Sequence, residues 1–240
     1  MIRIVSFALA AVLGLSLAGC GSEDKKSTGT PSTSSTPTPA PSTPDDPGVP
    51  VTRTEAQLTK ALLELADLPS GFSVDKDEPV DGTKPFSSSN DRCAKLVKYL
   101  NATKAPGSKA TAARTFTGGQ EGPYIDYVLD SMGTAGEVGD LRESYAKAVD
   151  SCPKVSLKTK GAGSTSMKVE KITAPAYGTK PFAFRLTGTS GSKRGLEYTA
   201  AVTGVGDVLV SVSILAGQGT ELEPATETAV TKVRHTLQIS

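Results

Sequence analysis

Apolar side chains fall at helical spacing in four parts of the chain. Thr54 with Gln57 three residues on forms a capping box, and Leu58, Ala61, Leu62 and Leu65 follow on one face until Pro69-Ser70-Gly71 stops the run. Asn90 or Asp91 caps a second helix, with Cys93, Leu96, Val97 and Leu100 inward and Ala105-Pro106-Gly107 at its end. Thr134 and Glu137 open a third, in which Val138, Leu141, Tyr145, Ala148 and Val149 share a face; Cys152 closes it and Pro153 terminates it. Thr220 and Glu223 start a closing helix that tolerates Pro224 in its first turn and turns Val230, Val233 and Leu237 to the core.

Between these segments the period changes to two. Ala110 to Thr117 and Tyr124 to Leu129 read as strands separated by Gly118-Gly119 and Gly122-Pro123. In the last third Val155 and Leu157, then Met167 and Val169, then Phe182, Phe184 and Leu186 alternate with polar residues. After the turn Ser190-Gly191-Ser192-Lys193, residues Leu196, Tyr198, Ala200 and Val202 line one face, and Gly204-Val205-Gly206-Asp207 turns into Val208 to Leu215. That last run is the most apolar and is expected at the centre. Short turns between strands mean antiparallel pairing. The fold class predicted is α+β: an antiparallel sheet of five to seven strands with helices packed mainly on one face.

The first apolar run, Ile4 to Ala18, is too short to span a bilayer and follows a single Arg, Arg3, as in a secretion signal. It ends in "LSLAGC" (15 to 20), which resembles the lipobox of bacterial lipoproteins. The resemblance implies that Cys20 receives a diacylglyceryl group and becomes the first residue after cleavage; an ordinary signal peptide or an uncleaved helix is the alternative. Two acyl chains hold a protein on a membrane where one is marginal. From Ser27 to Pro50, 18 of 24 residues are Ser, Thr or Pro, too few of them apolar to offset ordering entropy. The expected organisation is a lipoprotein signal peptide over 1–19, a lipidated N-terminus and disordered linker over 20–52, and a globular domain over 53–240.

That domain holds 23 Lys plus Arg against 21 Asp plus Glu, a balance that does not advertise nucleic acid. With Cys20 assigned to lipid, Cys93 and Cys152 remain as an even pair outside the cytosol. A disulfide between them is expected, two free buried thiols being the alternative.

A wider likeness follows from "LLELADLPSGF" (62 to 72), Cys93 in a helix, "ARTFTG" (113 to 118), Cys152 after a helix and "RGLEYTAAVTGVGDVLVSVSI" (194 to 214). Together these resemble the PknH-type extracellular sensor domains of mycobacterial receptor kinases, a module that also occurs on actinobacterial lipoproteins. The resemblance implies a cleft between sheet and helices that faces an extracytoplasmic ligand. Phe72 stands where Trp is common, and the kinase domain has two disulfides to the one expected here.

Catalytic patterns are incomplete. His235 is the single histidine and no Gly-x-Ser-x-Gly elbow accompanies it. Ser151 with Lys154, and Ser190 with Lys193, have Ser-x-x-Lys spacing without the partner motifs of penicillin-binding enzymes. Asp75, Asp77 and Asp81-Gly82 lack the closing Glu of a calcium loop and carry Pro79 at a ligand position. Gly204-x-Gly206 lacks the following helix that phosphate binding requires. Gly-Thr-Lys-Pro-Phe occurs at 82 to 86 and 178 to 182 with unmatched flanks, and Asn101-Ala102-Thr103 is a sequon. The expectation is therefore a non-catalytic lipoprotein without metal or cofactor, held on the extracytoplasmic face of the cell membrane by Cys20. It would bind an envelope ligand or protein partner. A carrier of lipid or another apolar ligand is the alternative, an envelope hydrolase a weaker one. An enclosed apolar cavity would favour carriage and a polar cleft sensing.

Overall fold

Thr54 caps the first helix through both halves of a capping box: its hydroxyl accepts from the Gln57 amide at 3.2 Å, and the Gln57 side chain accepts from the Thr54 amide at 2.8 Å. In this computed structural model the described residues are 50–75, 84–159 and 163–240, which belong to one unit, Ser42–Ser240. The expected signal segment, Cys20 and nearly all of the linker lie outside the described residues, as do Asp77, Pro79, Asp81 and Gly82.

Helix α1 is Glu55–Ala61; Leu62 is already extended, so the run breaks before Leu65, which opens a short 3-10 turn, Leu65–Asp67. Asn90 caps a 3-10 turn at Asp91–Cys93 that leads into α2, Ala94–Leu100. Thr134 caps α3, Ala135–Ser151. The closing helix α4, Leu222–Leu237, begins one residue later than the Thr220 signal suggests, with Pro224 in its first turn.

The strands are β1 (Ser73–Val74), β2 (Phe86–Ser87), β3 (Ala110–Thr117), β4 (Tyr124–Ser131), β5 (Lys154–Thr159), β6 (Gly163–Ile172), β7 (Thr179–Gly188), β8 (Glu197–Val205) and β9 (Val208–Leu215). They form one antiparallel sheet in the order β1-β3-β4-β9-β8-β7-β6-β5-β2. Val208 to Leu215 indeed lies inside the sheet, between β4 and β8.

Two features of the expected fold class are corrected. The sheet has nine strands rather than five to seven, because each edge is closed by a two-residue strand, β1 pairing with β3 and β2 with β5. Two residues carry no alternation for a sequence pattern to show. The helices also cover both faces. α1 and α4 lie over β3, β4, β9 and β8 on one face, where Leu58, Phe116, Ile125, Tyr127, Val212 and Val230 pack together. On the other face α3 lies over β6 to β9 with α2 beside it, burying Leu96, Val138, Met167, Phe184, Leu186 and Leu209.

The second layer was hidden by β8. Its other face presents Thr199, Ala201, Thr203 and Val205, small or polar side chains that read as a solvent face yet are all buried. Gly204 belongs to the α3 side, where a Cβ would stand 2.9 Å from Val138 Cγ1, so α3 needs a glycine there to approach the sheet. Gly206 opens the two-residue β8–β9 turn at φ +55°, as such hairpins require.

Two devices fasten the unit. Cys93 and Cys152 are joined by a disulfide with a Cα–Cα distance of 4.6 Å, tying the start of α2 to the end of α3. The entering chain is held by the Val51 amide on Gly133 O at 2.7 Å and by Arg53 Nε, which reaches both Asp207 carboxylate oxygens at 2.8 and 2.9 Å. Ser131 Oγ donates to Asp207 Oδ2 at 3.0 Å, so this buried carboxylate is fully engaged.

Candidate ligand cleft

Alternation along β4 sends Ile125, Tyr127 and Leu129 under α1 and α4, and therefore sends Asp126, Val128 and Asp130 to the opposite face. Register extends that face into rows. Thr115, Asp126, Ser213 and Ala200 lie side by side across β3, β4, β9 and β8, and so do Ala113, Val128, Ser211 and Val202. α3 reaches β9 but stops short of β3, and the seven-residue α2 packs against α3 and β2. Among the described residues, α2 and the loop running to Ala105 roof this half of the face.

The space between is a cleft of about 640 Å³, within the range of small-molecule sites. Leu96, Tyr99, Leu100 and residues 102–105 line it from the α2 side, Tyr145 and Tyr198 also line it, and the two rows form the floor, the first largely polar and the second largely apolar.

Each floor carboxylate is held from the neighbouring strand. Thr111 Oγ1 donates to Asp130 Oδ1 at 2.6 Å, and Thr115 Oγ1 donates to Asp126 Oδ1 at 2.8 Å. Tyr99 stacks on Tyr145 at 4.1 Å between ring centroids, and its hydroxyl is 3.1 Å from Ser144 Oγ. Burial, then the charge of Asp130, raises the Tyr145 hydroxyl above the ordinary tyrosine range. Tyr198 is pushed up to about 12 by burial, with the Asp126 charge adding and a hydrogen bond with Ser213 opposing. Both hydroxyls are thus neutral donors at physiological pH.

The residues singled out in the sequence lie elsewhere. His235 is exposed in the last turn of α4. Ser151 ends α3 with its hydroxyl on the Ala148 carbonyl, and Lys154 is exposed at the start of β5. Ser190 and Lys193 occupy an exposed turn, and Asp75 is exposed after β1. Asn101 of the sequon serves the fold: its side chain accepts from the Phe86 amide at 3.0 Å and donates to the Phe86 carbonyl at 2.8 Å, pinning β2 to α2. The second Gly-Thr-Lys-Pro-Phe leads into β7, where Phe182 is buried, while Phe86 of the first stands in edge strand β2. Sequence reasoning missed Asp126 and Asp130; the available signal was their place two and six residues along from Tyr124, on the face opposite Ile125, Tyr127 and Leu129.

No protein-family model matches the sequence, and no curated protein matches it. Among solved structures the fold is similar to that of the extracellular domain of PknH from Mycobacterium tuberculosis, with a TM-score of 0.58 and 17% identity over 79% of this chain and 98% of that one. The likeness is one of fold.

Proposed function

We propose that this chain is a non-catalytic, extracytoplasmic ligand-binding module of the sensor type, carried on a lipid anchor at Cys20. The observation that carries the reading is the cleft: a sizeable concave site lined by tyrosines, with carboxylates and hydroxyls set among apolar side chains on its floor, built on a fold similar to that of the extracellular domain of PknH. Its lining mixes apolar side chains with hydroxyls and carboxylates, the Thr115 hydroxyl serves to hold Asp126 from the next strand, and among the described residues no histidine or cysteine lines it, which supports binding over turnover. Asp126, Asp130, Ser211 and Ser213 on the floor speak against a purely apolar cargo.

The anchor reading rests on the "LSLAGC" resemblance, with 1–19 as the signal and the stretch to residue 52 as a tether for the domain from 53 onward. Changing Cys20→Ser should release the protein from membranes while its domain still folds; continued membrane retention would count against the anchor. The binding reading is tested with the ring signals of ¹³C-tyrosine-labelled full chain exposed to fractionated small molecules of the cell envelope. Shifts at Tyr99, Tyr145 and Tyr198 with Tyr124 unmoved are expected. Fractions that leave all three unmoved would overturn it.

A further inference from the structure

Asp130 is 2% exposed and lies on the floor of the cleft, yet among the described residues it makes no ion pair. Thr111 Oγ1 donates to its Oδ1. A carboxylate taken out of water costs several kcal/mol unless a counter-charge answers it. The unit elsewhere follows that rule: Asp207, equally buried, is gripped by Arg53.

The cations nearest the cleft do not supply the missing charge. Arg114 belongs to a lining strand, but its guanidinium donates to the Leu63 carbonyl at 2.5 Å, under α1 on the other face. Lys104 stands exposed on the loop after α2. What lines the cleft beside Asp130 instead is aromatic: Tyr145, whose hydroxyl feels the carboxylate, with Tyr99 stacked on it at 4.1 Å between ring centroids. Ring faces attract cations and exclude anions. Leu96, Leu100 and Val128 add apolar surface within the same cleft.

We infer that the cleft selects organic cations, a protonated amine on an apolar body, with the ammonium held by Asp130 against the tyrosine rings and the apolar body lying along Leu96, Leu100 and Val128. The inference rests on the reading of the cleft as a binding site and adds the ligand class to it. Anionic ligands such as fatty acids or phosphates are disfavoured by the same carboxylate.

Three probes with one apolar body separate the possibilities: 4-phenylbutylamine, 4-phenylbutanol and 4-phenylbutyrate, titrated into ¹³C-tyrosine-labelled full chain at pH 7. The expected result is saturable shifts at Tyr99, Tyr145 and Tyr198 for the amine, at least tenfold tighter than for the alcohol, with the carboxylate weakest and Tyr124 and Tyr177 unmoved. Asp130→Asn should bring the amine to the affinity of the alcohol; the comparison of probes on the unaltered chain stands without that variant. Amine and alcohol binding equally at the three cleft rings, or an amine preference that survives Asp130→Asn, would overturn the cation inference and leave the cleft reading intact. No probe moving the three rings would overturn the inference as well, and with the envelope fractions also silent the cleft reading would fall separately.

Discussion

Tyr99 and Tyr145 face each other across α2 and α3 with ring planes 28° apart, one turn and a half along α2 from the disulfide that joins the same two helices. The helix roofing the cleft is therefore fixed to its neighbour twice, by a covalent bond and by a ring pair. Tyr99→Ala removes a side chain that is 8% exposed, and such a loss should cost about 3 kcal/mol. Urea denaturation of the full chain measures it, and Tyr99→Phe, which keeps the stack and loses only the contact with Ser144, should recover most of the difference.

Reducing the disulfide should act on the same helix. The bridge spans a sequence separation of 59 residues, for which the chain-entropy model gives about 4 kcal/mol. Cys93→Ala with Cys152→Ala should lower the denaturation midpoint accordingly and speed hydrogen exchange first in α2. Unchanged exchange there would mean that the ring pair alone holds the helix.

Asp207→Ala leaves the Arg53 guanidinium, whose side chain is 10% exposed, without its carboxylate. Removing one partner of a buried pair should cost about 3 kcal/mol or more. Arg53→Met with Asp207→Leu, which removes both charges, should cost less than the single change, as read by a double-mutant cycle in urea.

High pH should destabilise the protein through its tyrosines. Tyr198 is raised to about 12 when folded, whereas an unfolded tyrosine ionises near 10. Below about 10 both states keep the proton and this group's contribution is intact; above it the unfolded chain loses the proton first, so stability falls as pH rises towards 12. Tm measured from pH 9 to 11.5 should decline, and Tyr198→Phe should flatten part of that decline.

Asn101→Ala should free the edge strand that the side chain holds by both backbone groups of Phe86. A loss of about 1 to 2 kcal/mol is expected, with faster exchange of the Phe86 and Lys158 amides, the latter bonded to Pro85 O.

Much of the unit was legible where one residue type has one local use. Thr54, Asn90 and Thr134 mark helix starts because a hydroxyl or amide oxygen answers an orphan backbone amide. Cys93 and Cys152 were paired by elimination, and they are bonded. The layers were not legible, because the β8 face of Thr199, Ala201, Thr203 and Val205 is buried by chain far away in sequence, α4 and the Tyr177 carbonyl that accepts from Thr203 among it, and nothing in their neighbours announces it. The cleft was least legible of all. Asp126 and Asp130 alternate like solvent-facing residues, and the position of α2, tied to α3 through Cys152 and Tyr145 far along the chain, turns that face into the floor of a cleft.

The clasp at Val51 and Arg53 decides where a mechanical load would go. Tension arriving from the preceding chain is taken up at Gly133 and at Asp207 in the β8–β9 turn before it reaches α1. Both anchor points sit at one end of β4, β8 and β9, so the pull would be delivered to strands that are paired on both sides. α2 is tied instead to α3, by the disulfide and the Tyr99–Tyr145 ring pair, so a pull entering at Val51 and Arg53 would not run through the roof of the cleft.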